Sequence, residues 1–162
     1  MSWPSCRQSV VANAMLAIQL ETVPFEPLSV LAEWQAQLAL LPGGMPAAES
    51  QFIGRVRGCD ATGEPLEALE LEHYPGMTEA CIASLAAAAA GQHGATAVLV
   101  RHRIGLVLPG DAIVLVAVAA DRRGPAQRCC QELLEALKHE APFWKREWSQ
   151  GLGRWITGNT PL

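Results

Sequence analysis

Basic residues are scarce over most of this 162-residue sequence. Positions 1–100 hold three Arg and ten acidic residues, a balance of −7, whereas positions 101–162 hold nine Lys or Arg and six acidic residues, a balance of +3. Non-specific nucleic-acid binding requires many phosphates to be neutralised, so a chain of net charge −4 is a poor candidate for it. The late cations predict a local pocket for one small anion, and we expect neither a nucleic-acid nor a membrane partner.

Several short motifs of known chemistry are missing. The five cysteines have no C-x-x-C spacing, and neither His102 nor His139 completes a metal-ligand pattern, so we expect reduced thiols, no metal and no cofactor. There is no G-x-x-x-x-G-K-[ST] phosphate loop, and no Ser-His-Asp or Cys-His arrangement follows from the spacing. Residues 1–20 lack a basic start before a continuous apolar core, which favours a cytoplasmic location.

The composition is that of a globular protein. Half of the residues are apolar and 17% are charged, and the length suits one well-buried domain. Positions 1–14 have no clear period, so we expect a disordered or non-native extension there, with Met15 as the biological start. The domain is predicted to cover residues 15–162.

Hydrophobic periodicity alternates between strand and helix along the chain. Three helices are predicted, and the second is expected to have Thr78 as its N-cap; the helices cover residues 28–41, 78–92 and 125–139. Strands are predicted from Met15 and after Pro142, where a loose tail follows, and over residues 50–58, 67–74, 96–105 and 111–120. The last two are expected to be neighbours across a Pro-Gly turn. This order predicts an α+β fold.

Cations stand at two places where the chain changes structure. Lys138 ends the third predicted helix, and Lys145 and Arg146 lie on the strand after Pro142. A lysine at a helix C-terminus is also favoured by the helix dipole, and basic residues on a strand also discourage edge-to-edge aggregation. The alternative interpretation is a convergence of cations on an anionic substrate, with one lysine desolvated so that its amine passes protons near neutrality.

The arginines add to the second interpretation. Arg55 and Arg57 flank Val56 on a strand and therefore point to one face. Arg122 and Arg123 follow directly after another strand, where sites are common. His73, in "LEHYPGM", precedes a Pro-Gly turn and is interpreted as structural.

Five motifs together carry a resemblance to a known family. In order and spacing, "FIGRVRG", "LELEHYPGMTE", "VRHRIG", "LPGDAIVLVAV" and "LKHEAPFWKRE" resemble the large, catalytic subunit of molybdopterin synthase. The resemblance covers residues 50–155, and more weakly the segment from Met15. It implies a sulfurtransferase of molybdenum-cofactor biosynthesis that converts cyclic pyranopterin monophosphate into molybdopterin.

The resemblance also implies an assembly. The sulfur would arrive as a thiocarboxylate on a small ubiquitin-like subunit. The large subunit would have an α/β-hammerhead-like domain and form a homodimer within a heterotetramer.

Site residues follow from the resemblance position by position. Lys138 and Lys145 match the catalytic lysines, with Lys138 expected to transfer protons and orient the thiocarboxylate, and Lys145 to stabilise charge as sulfur adds. The substrate-binding positions are Arg55, Val56, Arg57, Asp121, Arg122, Lys138, Lys145, Arg146 and Glu147. Phe52 and Arg123 are further pocket candidates.

Two positions depart from the family pattern. Asp121 stands where relatives commonly have histidine, and Asn159 where many have a basic residue. Either the histidine is dispensable, or Arg123 replaces its charge, or this copy is impaired. The alternative function is therefore a non-catalytic paralogue that keeps dimerisation and small-subunit binding; an unrelated anion-binding domain would require the ordered match to be coincidental.

Overall fold

A computed structural model describes residues 13–157 of the chain. Asn159 and most of the predicted N-terminal extension lie outside these residues. The elements in chain order are β1 (Met15–Glu21), α1 (Pro27–Leu38), β2 (Ala48–Arg55), β3 (Ala68–His73), α2 (Met77–His93), β4 (Ala97–Arg103), β5 (Gly105–Val107), β6 (Ala112–Ala120), α3 (Arg123–Glu140), β7 (Phe143–Ser149) and β8 (Leu152–Trp155). The α+β prediction with three helices is confirmed.

The first sheet has the strand order β1-β4-β6-β2. Strand β1 runs parallel to β4, while β6 is antiparallel to both β4 and β2, which confirms that the strands around the Pro-Gly turn are neighbours. Alternate side chains of β4 and β6 point to opposite faces, and both faces are covered by helices. Helices α2 and α3 pack on Val98 and Val116, and α1 packs its buried Trp34 on Leu99 from the other side.

The second sheet is antiparallel, with the order β5-β3-β7-β8. Its small core joins Leu69, Leu71, Val107 and Val56. The chain crosses from the first sheet into the second directly after β4, where Gly105 has a φ of 75° that favours glycine. The sequence had suggested a single strand followed by a turn in this region, so β5 was missed.

Two other local predictions were wrong. Helix α2 begins at Met77, so Gly76 and not Thr78 is its N-cap, and the Gly76 N–H donates to Glu79 Oε2 at 2.7 Å. The Thr78 hydroxyl instead accepts from Tyr74 N at 3.0 Å and donates to Pro142 O at 3.2 Å. The loose tail contains β8, paired with β7 through the turn Gln150-Gly151. Both turn residues have positive φ, 51° and 72°, as a two-residue hairpin requires.

None of the helices within residues 13–157 is long and apolar enough to span a membrane.

Candidate functional site

A cavity of about 550 Å³ lies where the C-terminal end of α3 and strand β7 meet the edge of the first sheet. Four cations and one carboxylate contribute to its lining, together with two histidines; these are Arg55, Arg57, Lys138, Lys145, Glu135, His102 and His139. Its apolar wall includes Phe52, Ile113, Leu134, Leu137 and Phe143. This volume falls within the range of small-ligand pockets, and the excess of cations favours an anionic ligand.

The two lysines reach the cavity from different elements. Lys138 lies in the last turn of α3, and Lys145 is the third residue of β7. Pro142 cannot continue the helix, and Ala141 already has an extended backbone with φ −68° and ψ 129°, so the chain turns back at once. Lys138 and Lys145 are also the only lysines in the sequence, so every lysine of the chain lines this cavity.

The surroundings of Lys145 change the pKa of its amine. Burial lowers its pKa below the ordinary value of 10.5, and the nearby charge of Lys138 lowers it further. Both causes disfavour the ammonium form, so less free energy is needed to deprotonate this amine than an exposed one. An amine of this kind is suited to accepting and returning a proton.

The arginine pair is positioned by the end of β2. Both Arg55 and Arg57 line the cavity, while Val56 between them is buried in the core of the second sheet. The prediction that the two arginines share a face is confirmed, and Val56 faces the other way. Arg55 Nη1 donates to Gly110 O at 3.2 Å, which anchors its guanidinium at the rim.

Close packing fixes Phe52 beside these arginines. A Cβ atom added to Gly54 would lie 3.0 Å from Val114 Cγ1 and 3.1 Å from Phe52 Cε1. Glycine at this position therefore lets the ring of Phe52 and the strand β6 approach each other. Phe52 lines the cavity.

Three predicted residues lie far from this cavity within the same chain. Asp121, Arg122 and Arg123 are exposed at the start of α3, and Arg122 Nε lies 3.9 Å from Asp121 Oδ2. Lys138 is fifteen residues further along the helix, or about 22 Å at 1.5 Å per residue. These side chains cannot reach the cavity of their own chain.

Arg146 and Glu147 also do not line the cavity. Arg146 leaves the opposite face of β7 from Lys145, because successive side chains alternate along a strand. Its guanidinium donates to Glu70 Oε2 and lies over the rings of Trp148 and Trp155, 4.9 and 4.6 Å from their centroids. The structure therefore gives Arg146 a role in holding the second sheet together.

The main lining residue missed from the sequence is His102. It lies on β4, stacked on Phe143 with ring centroids 4.1 Å apart. The available signal was a histidine between two arginines at the end of an apolar strand, in "VRHRIG". That pattern did not distinguish a cavity residue from an ordinary strand residue.

Comparison with known proteins identifies relatives of this chain. The profile of the family described as MoaE protein matches residues 25–140. The molybdopterin synthase catalytic subunit of Ralstonia nicotianae is 44% identical over 123 residues, which cover 75% of this chain and 69% of that protein.

Solved structures agree with the sequence comparison. The molybdopterin biosynthesis MoaE protein from Burkholderia ambifaria superimposes with a TM-score of 0.71 at 35% identity, covering 91% of each chain. A chain from the Helicobacter pylori complex of molybdopterin-converting factor subunits 1 and 2 shares the fold, with a TM-score of 0.68, 20% identity and coverage of 89% of this chain and 90% of that one.

Proposed function

Because this chain belongs to the MoaE family and is a molybdopterin synthase catalytic subunit, a sulfurtransferase of molybdenum-cofactor biosynthesis, we propose that its lysine-lined cavity is the site of sulfur transfer. The sulfur donor is a thiocarboxylate at the end of a small ubiquitin-like subunit, and the acceptor is cyclic pyranopterin monophosphate. The observation that carries this proposal is the convergence of both lysines of the chain with Arg55 and Arg57 on one cavity.

The charges of the ligands match those of the cavity. The thiocarboxylate, the substrate phosphate and the carboxylate left on the small subunit are all anions. Guanidinium groups bind phosphate and carboxylate oxygens in paired geometry, which suits Arg55 and Arg57 to holding the phosphate. Lysine is a compact point charge and suits a position where charge develops during the reaction.

We assign different roles to the two lysines. The depressed pKa of Lys145, caused by burial and then by Lys138, favours this amine for proton transfer as well as for stabilising charge when sulfur adds. Lys138, at the helix end, orients the incoming thiocarboxylate. This assignment moves the main proton-transfer role from Lys138, where the resemblance had suggested it, to Lys145.

A second copy of the chain is part of the proposal. The resemblance places the Arg122 position near the pocket of a neighbouring protomer, and this agrees with the separation of about 22 Å along α3 between Arg123 and Lys138. We propose a homodimer of hammerhead-like subunits in which each α3 start approaches the other cavity, with a small subunit bound to each. The Helicobacter pylori relative, a complex of subunits 1 and 2, supports the heteromeric part.

One observation favours a different function. Asp121 is an exposed carboxylate, and it would add negative charge beside anionic ligands in the neighbouring cavity. A non-catalytic paralogue that keeps dimerisation and partner binding is therefore the second candidate. Arg122, 3.9 Å from Asp121, and the adjacent Arg123 offset that charge and favour the active enzyme.

Reconstitution separates the two candidates. The purified chain is mixed with thiocarboxylated small subunit and cyclic pyranopterin monophosphate, and molybdopterin is quantified as its fluorescent oxidised derivative. We expect product well above a control that lacks the chain. Intact partner binding without product would support the paralogue instead.

A further inference from the structure

His102 is a buried titratable side chain that the proposed mechanism leaves without a role. Only 7% of the residue is exposed, and it lines the cavity together with Phe143 and Lys145. Its ring is stacked on Phe143 with a 12° angle between the planes. Phe143 and Lys145 are two positions apart on β7 and share one face of the strand, and the charge of Lys145 is close enough to act on the imidazole.

The hydrogen bonding of His102 fixes which ring nitrogen carries the proton. Nδ1 lies 2.8 Å from Arg103 O, and a carbonyl oxygen can only accept, so Nδ1 is the donor. Burial, and then the charge of Lys145, lowers the pKa of His102 to about 4, although the hydrogen bond to Arg103 O opposes the shift. The imidazole is therefore neutral near pH 7, and its Nε2 has a free lone pair.

Among the other charged groups that line the cavity, the Glu135 carboxylate is the one that can accept a hydrogen bond. Arg55 and Arg57 come from the end of β2, and Lys138 from α3; all three are cations. Glu135, also from α3, is a charged acceptor and has its Oε2 3.5 Å from Nε2 of His139, whereas His102 is a neutral one.

We propose that His102 is a positioning residue whose Nε2 accepts a hydrogen bond from the Lys145 amine and holds that amine at one place in the cavity. A lysine stem has four rotatable bonds, and an unanchored amine samples many positions. A neutral acceptor orients the amine without adding a countercharge that would bind the ammonium too firmly. The inference rests on the proposed catalytic role of Lys145.

Nuclear magnetic resonance tests the contact without any activity. The protein is labelled with [15N]histidine, and the His102 signals are assigned with His102→Gln. We expect Nδ1 to be protonated and Nε2 to be unprotonated but hydrogen-bonded. Lys145→Met should move the Nε2 resonance towards that of a free acceptor, whereas the matched control Lys138→Met should leave it close to the wild-type position. A proton on Nε2, or a resonance unmoved by Lys145→Met, would overturn the inference.

Two substitutions separate positioning from simple packing. In His102→Asn the amide can replace the Nδ1 donor to Arg103 O, whereas in His102→Gln the amide can place an oxygen near the Nε2 position. We expect kcat to fall about tenfold or more in His102→Asn, with a smaller change in KM, and to stay within about threefold of wild type in His102→Gln. Equal losses in the two variants, or rescue by asparagine alone, would indicate a structural role and contradict the proposal.

Failure of the proposed function has a different signature. In that case wild-type protein yields no molybdopterin from thiocarboxylated small subunit and cyclic pyranopterin monophosphate. The Nε2 resonance would still report whether His102 and Lys145 are hydrogen-bonded.

Discussion

Arg146 donates to the same carboxylate oxygen of Glu70 from both Nε and Nη2, at 2.9 and 2.7 Å. Trp148 Nε1 donates to that oxygen as well, at 2.8 Å. Glu70 and Arg146 stand opposite each other on β3 and β7, so their ion pair links the two central strands of the second sheet. Lys145 extends from the other face of the same strand, and the ion pair thus supports the strand that carries a cavity lysine.

Replacing Glu70 with glutamine should destabilise the fold. Glu70→Gln keeps one acceptor but loses the charge that strengthens the bonds from Arg146, so we expect a loss of about 1–2 kcal/mol in the free energy of unfolding. Glu72→Gln is the matched control, since Glu72 Oε1 lies 3.9 Å from Arg146 Nη2 on a more exposed side chain; its effect should stay within about 0.5 kcal/mol. Urea titration at pH 7 measures both.

The contribution of Glu70 to the free energy of unfolding should also depend on pH. Its pKa is lowered from 4.5, mainly by the hydrogen bond from Trp148 and then by Arg146. The folded state therefore binds this proton less tightly than the unfolded state, so the stabilisation is present above pH 4.5 and is lost as pH falls through the lower folded pKa. We expect the difference between wild type and Glu70→Gln to shrink below pH 4.5. A difference that stays constant down to pH 3 would contradict this account.

Lys145→Met should stabilise the protein while it abolishes molybdopterin formation. Burial and the charge of Lys138 both disfavour the Lys145 ammonium, so its removal relieves a cost that the folded state carries at neutral pH. We expect the free energy of unfolding to rise by about 0.5–2 kcal/mol, the usual gain from a single stabilising substitution. Lys145→Arg keeps the charge and should show no gain. Thermal and urea unfolding measure the change, and a destabilised Lys145→Met protein would refute the argument.

Gly54→Val should damage the cavity wall. A Cβ at this position already meets Val114 and Phe52 at 3.0 and 3.1 Å, and the added methyl groups must displace one of them. We expect a loss of about 1–3 kcal/mol in stability and a raised KM for the pterin substrate, because Phe52 lines the cavity. Gly58→Val is the control, since nothing lies within 4 Å of its added Cβ. Similar losses in both variants would show that backbone conformation, not crowding, decides the outcome.

Mixing two inactive variants tests whether Arg122 of one subunit serves the cavity of the other. If Arg122 serves the neighbouring cavity, Arg122→Ala and Lys145→Met subunits should each be inactive alone. In a mixed dimer one of the two cavities keeps both an intact Lys145 and an intact partner Arg122. Random mixing of equal amounts, after mild unfolding and refolding, should then restore about a quarter of wild-type activity by C2 symmetry. No recovery, with mixed dimers demonstrated by mass spectrometry, would place Arg122 outside the neighbouring site.

Much of the local structure could be predicted because its causes are local. Alternating β-branched residues predicted β4 and β6, and apolar residues at helical spacing predicted α1 and α3. Pro142 after the helix predicted the turn that brings Lys138 and Lys145 towards each other. The same alternation placed Arg55 and Arg57 on one face.

The order of residues was therefore enough to predict the three helices, most of the strands, the resemblance to a family and the cations that line the cavity. Tertiary structure alone decided the assignment of β5 and β8 to a second sheet, because pairing between distant strands leaves little trace in either strand. It also buried Lys145 and stacked His102 on Phe143 from another strand, since burial and charge separation depend on neighbours that are remote in sequence. The length of α3 also keeps Asp121 and Arg122 away from the cavity of their own chain.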